Sequence, residues 1–243
     1  MSSIKIINDD AIEVLKQLND ECIDLIVTDP PYKVTSRGRG KKGTTTSGGM
    51  LTKKIVNSGN VFNHNNVKPM EYIPEFYRVL KDGSHCYIMT NHVNLQEMLN
   101  VATECGFKFI KSLIWNKGNK VMGTFYMSQF EYILFFRKGK AKKINNCGTS
   151  DIIDIPNKKT KGEDGKNLHD TEKPVELMKI LIENSSQEGD LVFDPFIGIG
   201  ATAIACKKTN RHCLGCELDE EYYNITLQRL EDIIWKDKKK LEI

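Results

Sequence analysis

No apolar run in the 243-residue chain reaches the roughly 18 residues that a membrane-spanning helix needs. Its start lacks a basic cluster followed by an apolar stretch, so residues 1–8 are expected to form a short strand rather than a signal peptide. No segment repeats. The seven cysteines are scattered and odd in number, which argues against a disulfide framework. Cys213 and Cys216 have metal-ligand spacing, but no second Cys or His pair stands at a suitable distance. Small residues packed in a strand explain them more simply, and no metal is expected. These absences point to a soluble, cytoplasmic protein with reduced thiols.

Acidic residues are missing from one long stretch. Between Lys33 and Met70 there is no Asp or Glu, yet Lys33, Arg37, Arg39, Lys41, Lys42, Lys53, Lys54 and Lys68 all fall there. A second basic stretch runs over 137–166. The net charge is only +3, so the imbalance is local. Such segments are the footprint of a polyanion partner; a merely solvated surface is the plain alternative. Residues 33–66 are rich in Gly, Ser, Thr and Asn and have little periodicity, as in a flexible basic loop that a partner orders.

That loop follows the most informative residues in the chain. Leu25-Ile26-Val27 reads as a buried strand, and Thr28-Asp29-Pro30-Pro31-Tyr32 stops it abruptly, because neither proline can donate a ladder hydrogen bond. A carboxylate, a carbonyl-rich turn and an aromatic ring are thereby projected from a strand's C-terminal end, where open α/β sheets bind ligands. The second motif is 191–202, with Asp194, Phe196, Gly198 and Gly200: a strand, a glycine turn and a helix start. Glycines there permit positive φ and close approach to a ligand. The next strand, at 212–216, leads into Glu217, placed to accept hydrogen bonds from ribose hydroxyls. Together they describe a nucleoside-cofactor site. The glycines alone also fit a dinucleotide fingerprint or simple helix–sheet packing. A hydride-transfer enzyme, however, has no use for Asp29-Pro30-Pro31-Tyr32.

Periodicity predicts strands at 4–7, 85–90, 109–115 and 131–136, and helices at 11–18, 70–81, 94–105, 201–208 and 220–235, with another opening at 171–174. Residues 126–130 and 141–167 stay undecided. Repeated strand–helix alternation gives a single α/β domain over 1–243, a mostly parallel sheet with helices on both faces.

The order and spacing of these motifs resemble the β group of DNA amino-methyltransferases over nearly the whole chain. The resemblance implies a Rossmann-like methyltransferase fold, circularly permuted so that the catalytic motif precedes the glycine loop. It implies S-adenosylmethionine as cofactor and double-stranded DNA as substrate. Asp29, Pro30, Pro31 and Tyr32 become the catalytic set, with Tyr32 stacking on a flipped base. Asp9, Asp10 and Ala11 lie near the cofactor adenine. His169, Thr171 and Lys173 close over its methionine portion, beside Asp29, Asp194, Phe196, Gly198, Gly200 and Glu217. Target recognition falls to 138–168, with the loop after Tyr32 sharing the task. Two departures stand out: Ile199 and Ala201 occupy positions where the family has hydroxyl side chains, and Asn8 stands where a glycine is common.

Asp at the head of the catalytic motif leans to adenine N6, whereas Ser there leans to cytosine N4. No cysteine follows a proline as a cytosine-C5 nucleophile would. The expected activity is adenine-N6 methylation within a restriction-modification system. A cytosine-N4 enzyme and an idle nucleic-acid-binding module on the same fold are the alternatives. RNA as substrate, a homodimer and a cognate restriction enzyme all stay open.

Overall fold

Strand β2 (Ile23–Thr28) shows why the chain layers as it does. Leu25, Ile26 and Val27 are all fully buried, and they alternate between two apolar clusters on opposite faces of the sheet. The computed structural model describes residues 2–31, 67–121, 125–140, 142–162, 165, 167–168 and 171–241. The basic loop, including Tyr32, Lys33, Arg37, Arg39, Lys41, Lys42, Lys53 and Lys54, lies outside them, as do His169 and Asp170.

Eight strands form one sheet: β1 (Ile4–Asn8), β2, β3 (Leu80–Thr90), β4 (Lys108–Val121), β5 (Ser128–Arg137), β6 (Ile152–Asp154), β7 (Leu191–Asp194) and β8 (His212–Glu217), in the spatial order β1-β8-β7-β2-β3-β5-β4-β6. Only β5 runs against the others. One face carries α1 (Ala11–Gln17), α2 (Pro69–Val79) and α3 (Leu95–Glu104), through Leu15, Phe76 and Met98. The other carries α4 (Val175–Ser185), α5 (Ala201–Lys208) and α6 (Glu220–Leu241), through Leu181, Ile204 and Leu230. This is the mostly parallel, Rossmann-like sheet expected from the sequence.

The helix ends follow ordinary capping. Asp10 caps α1, its carboxylate accepting from the Ile12 N–H at 2.7 Å. Pro69 opens α2, and Glu71 accepts from the Lys68 N–H at 2.6 Å. Helix α2 stops at Val79, two residues short of the predicted end. The sheet pulls Leu80 out of the helix: it is fully buried and pairs with Ile23.

Three features of the fold were not legible. β6 is a three-residue edge strand beside β4, too short for alternation to show; it is fixed by buried Ile153 and by the Trp115 indole donating to Ile155 O at 2.8 Å. β4 and β5 run longer than predicted and form a hairpin that reaches past the edge carrying Asp29. Two lysines of the second basic stretch turn inward. Lys138 is buried and donates to Leu80 O at 2.8 Å, and Lys159 donates to Glu172 O at 2.7 Å. These two do not belong to a polyanion surface.

Candidate active site

The winding of the sheet switches between the parallel neighbours β2 and β7: after β2 the chain continues toward β3, after β7 toward β8 and β1. The C-terminal ends of two adjacent strands therefore diverge there, leaving the crevice in which such sheets bind ligands. Asp29 leaves one strand and Asp194 ends the other. The Thr28 hydroxyl donates to Asp194 Oδ1 at 2.7 Å, tying the two sequence motifs together across a buried contact.

Asp194 is fully enclosed. Its other oxygen accepts from the Thr202 hydroxyl at 2.6 Å, and the Phe196 N–H reaches Oδ1 at 3.2 Å. Burial pushes the carboxyl up to about 6 although the two hydroxyls oppose the shift. Thr202 supplies a hydroxyl beside the glycine turn, where Ile199 and Ala201 provide none, but it is spent on Asp194.

The turn after β7 closes on the end of β8. The Gly198 N–H donates to Glu217 Oε2 at 2.9 Å and the Asp219 N–H to Oε1 at 3.0 Å, so Glu217 is fixed with lone pairs to spare. Burial also raises its pKa. Gly200 caps α5 in the left-handed region, at φ +83°, against Thr226 of α6. Next to β8, Asn8 is locked by its side-chain amide to the carbonyls of Glu217 and Leu218, at 2.8 and 3.3 Å. Asp9, Asp10 and Ala11 follow at the same edge, with Asp9 exposed and Ala11 buried. This edge offers a cradle closed at Gly200 and an acid fixed at Glu217, which fits a nucleoside ligand.

The Asp29 carboxylate is held differently. Asp29 Oδ2 accepts from the Lys173 ammonium, while Asp29 Oδ1 is buried with no hydrogen-bond partner among the described residues. Lys173 is itself buried and lies 3.5 Å from Glu131 Oε2 on β5. Glu131 Oε1 in turn accepts from Lys117 Nζ on β4 at 3.1 Å. Burial raises the Asp29 pKa and the Lys173 cation opposes it. Burial also pushes the Glu131 carboxyl up, but the Lys173 and Lys117 cations outweigh that and hold it low. Thr171 contributes its carbonyl, 3.3 Å from the same ammonium. The adjacent Glu172 faces the other way, to Arg229 of α6 at 2.8 Å and to Thr160.

The structure thus brings Asp29, Pro30, Asp194, Gly198, Gly200, Glu217, Thr171 and Lys173 to one sheet edge. It places Lys173 on Asp29. Sequence reasoning missed Glu131 and Lys117. The available signal was a lone acid inside the apolar run 130–136.

A family model described as DNA methylase matches residues 23–228, which span both motifs. The chain belongs to that family, the N6/N4 DNA methyltransferases. Two type II methyltransferases are similar over most of their lengths. M.HinfI of Haemophilus influenzae is 28% identical over 94% of this chain and 68% of its own. M.HpaI of Haemophilus parainfluenzae is 30% identical, covering 93% and 74%. Among solved structures, M1.HpyAVI in complex with S-adenosylmethionine superposes with a TM-score of 0.67 at 24% identity, over 93% of this chain and 99% of that one. The PvuII cytosine-N4 DNA methyltransferase gives 0.70 at 16% identity, over 93% and 86%. The permuted motif order is thus the β-group arrangement of a site-specific DNA methyltransferase.

Asp194 carries a prediction about stability. Its pKa in the folded chain, about 6, lies above the ordinary 3.8, so the folded state binds the extra proton. The stabilisation is complete below the lower value and is lost as pH rises through the higher one, amounting to about 3 kcal/mol. Asp194→Asn should therefore gain thermal stability relative to wild type between pH 4 and pH 7, by several degrees. Melts at both pH values check this; a constant difference would rule the explanation out.

Proposed function

We propose that the protein transfers the methyl group of S-adenosylmethionine to N6 of an adenine flipped out of double-stranded DNA. The observation that carries the reading is the half-engaged Asp29 carboxylate, with one oxygen held by Lys173 and the other buried with no hydrogen-bond partner among the described residues. An exocyclic amine is a poor nucleophile because its lone pair is delocalised into the ring. Asp29 Oδ1 and the Pro30 carbonyl accept its two N–H bonds, drawing nitrogen toward tetrahedral geometry and aiming the lone pair. The cofactor supplies an electrophilic methyl whose leaving group is a neutral thioether. Positive charge develops on nitrogen as the new C–N bond forms, and the fixed carboxylate stabilises it. Asp29 then holds the departing proton.

Cofactor binding falls to Asp9, Asp10, Ala11, Phe196, Gly198, Gly200 and Glu217, with Asp194 bracing the turn. A base within a duplex cannot reach Asp29, so the target leaves the stack, at a cost of a few kcal/mol. Phe125 and Tyr126, 93% and 96% exposed where the β4–β5 hairpin passes the same edge, are suited to stack on bases, as is Tyr32. The basic loop from Lys33 is assigned to the phosphates. A second subunit and a cognate restriction enzyme belong to the same proposal, since the relatives named above are type II methyltransferases. Gel filtration with and without DNA tests the dimer.

The direct test is transfer of labelled methyl to unmethylated bacterial DNA, followed by nucleoside analysis. Label in N6-methyladenine is expected. Label in N4-methylcytosine would keep the mechanism and overturn the base. Cofactor binding without transfer to DNA would sink the reading.

A further inference from the structure

Four charged side chains from four separate segments form an alternating row that ends at the catalytic carboxylate: Lys117 on β4, Glu131 on β5, Lys173 ahead of α4, and Asp29 after β2. All are largely buried, with side-chain exposures of 12%, 19%, 5% and 19%. Buried ion pairs give little net stability because desolvation offsets their attraction. Stability alone is therefore a weak reason for such a row to stand beneath an active site.

The geometry of the two orphaned oxygens gives a better one. Among the described residues, Asp29 Oδ1 and Glu131 Oε2 are both buried without a hydrogen-bond partner, and both flank the one ammonium of Lys173. An ammonium has three N–H bonds. One goes to Asp29 Oδ2, one toward Thr171 O at 3.3 Å, and Glu131 Oε2 stands 3.5 Å away as a competing acceptor. Lys117 holds the far oxygen of Glu131, which turns the near one toward Lys173.

We propose that Glu131 is a positioning residue for the methyl-transfer site: it shares the Lys173 ammonium with Asp29, so that Asp29 keeps one oxygen open and strongly accepting. The inference rests on the assignment of Asp29 as acceptor of the target amine. A carboxylate that monopolises a cation is a weak acceptor; one that shares it keeps more of its charge for the amine. Glu131 also allows the ammonium to lean away from Asp29 as positive charge builds on the target nitrogen. Among the described residues, the charged groups facing Asp29 are Lys173, Glu131, Lys159 and Asp194. Of these Glu131 and Asp194 favour its protonated form, and the two lysines favour its ionised form.

The test is Glu131→Gln, which keeps shape and removes charge. Carbon-13 NMR of the labelled Asp carboxyls, assigned with Asp29→Asn, reads the Asp29 titration in the free protein. Loss of the Glu131 charge removes a negative neighbour of Asp29 and a competing acceptor for Lys173, so the Asp29 pKa should fall. The acid limb of the transfer rate should move down in step, and the plateau rate should drop about tenfold, equivalent to about one pKa unit of interaction. The Kd for S-adenosylmethionine should stay within about twofold, and Glu131→Asp should recover part of the rate. A merely structural Glu131 would lower the rate without moving either titration, and an unmoved Asp29 titration overturns the proposal whatever the activity. A shifted Asp29 titration in a protein that methylates no DNA supports the role of Glu131 and overturns the proposed reaction instead.

Discussion

Asp29→Asn should lower the single-turnover rate of methyl transfer by about 10²–10³-fold, the cost of removing one preorganised electrostatic contact to developing charge. Binding of S-adenosylmethionine should change little, because the cradle at Gly198, Gly200 and Glu217 makes no hydrogen bond to Asp29. The amide is nearly isosteric, so loss of packing is a poor explanation for any effect. It fails for two chemical reasons. Its carbonyl carries no net charge to oppose positive charge on the amine nitrogen. Its NH₂ group, if turned toward the target, offers a donor where the target already donates. The change also removes one of the two carboxylates beside the Lys173 ammonium, and a less neutralised ammonium repels a developing cation. Rapid quench on saturating DNA, with calorimetric titration of the cofactor, separates the two effects. A rate within threefold of wild type would remove Asp29 from the chemistry. Loss of cofactor affinity in proportion to rate would make it a binding residue.

How much of this site could be read from the sequence depended on whether the chemistry was local. Asp29-Pro30-Pro31 announces itself because prolines truncate an apolar run, and the turn at 195–200 because its glycines sit between a strand and a helix. Both are decided by neighbours in the chain. The Thr28–Asp194 bond is not local: its partners are 166 residues apart, and only strand order makes them adjacent. Lys173 shows the limit most clearly. Its motif was assigned to the cofactor side of the site, and nothing in the sequence announced the contact of its ammonium with Asp29, which arises because the segment before α4 passes over β2 and β5 at once. Glu131 was visible only as an acid in an apolar strand. Lys138 and Lys159 counted as surface charge because composition does not record burial; in the structure Lys138 is buried and Lys159 half-buried, each donating to a backbone carbonyl. Burial and the nearby Lys173 cation bring the Lys159 pKa down to about 8. In α1 to α4, by contrast, apolar period and buried face coincide, at Leu15, Phe76, Met98 and Leu181.

Gly200→Ala should destabilise the fold and weaken cofactor binding together, through two causes that can be measured apart. Gly200 has φ +83°, and a side chain held in the left-handed region costs about 1–2 kcal/mol. A Cβ there would also lie 2.6 Å from Thr226 Cγ2 and 3.2 Å from its hydroxyl. Such overpacking costs a further ~1–3 kcal/mol. Thr226 cannot easily yield: it is fully buried, and its hydroxyl donates to Gly198 O at 2.8 Å. The strain therefore passes into the turn at 195–200, which Glu217 holds by the Gly198 N–H. Displacing that turn by a few tenths of an ångström moves the backbone proposed to meet the cofactor, and the affinity should fall more than about tenfold, or about 1.4 kcal/mol. Thr226→Ser removes the nearest clashing methyl and keeps the hydroxyl bond. In that background the alanine should cost about 1–2 kcal/mol less, a coupling within the range found for touching residues. The backbone term should remain. Denaturant unfolding of the four proteins gives the coupling, and cofactor titration of the same four shows whether affinity follows it. If relieving the clash restores stability but not affinity, the left-handed backbone at Gly200, rather than the space around it, is what the cofactor requires.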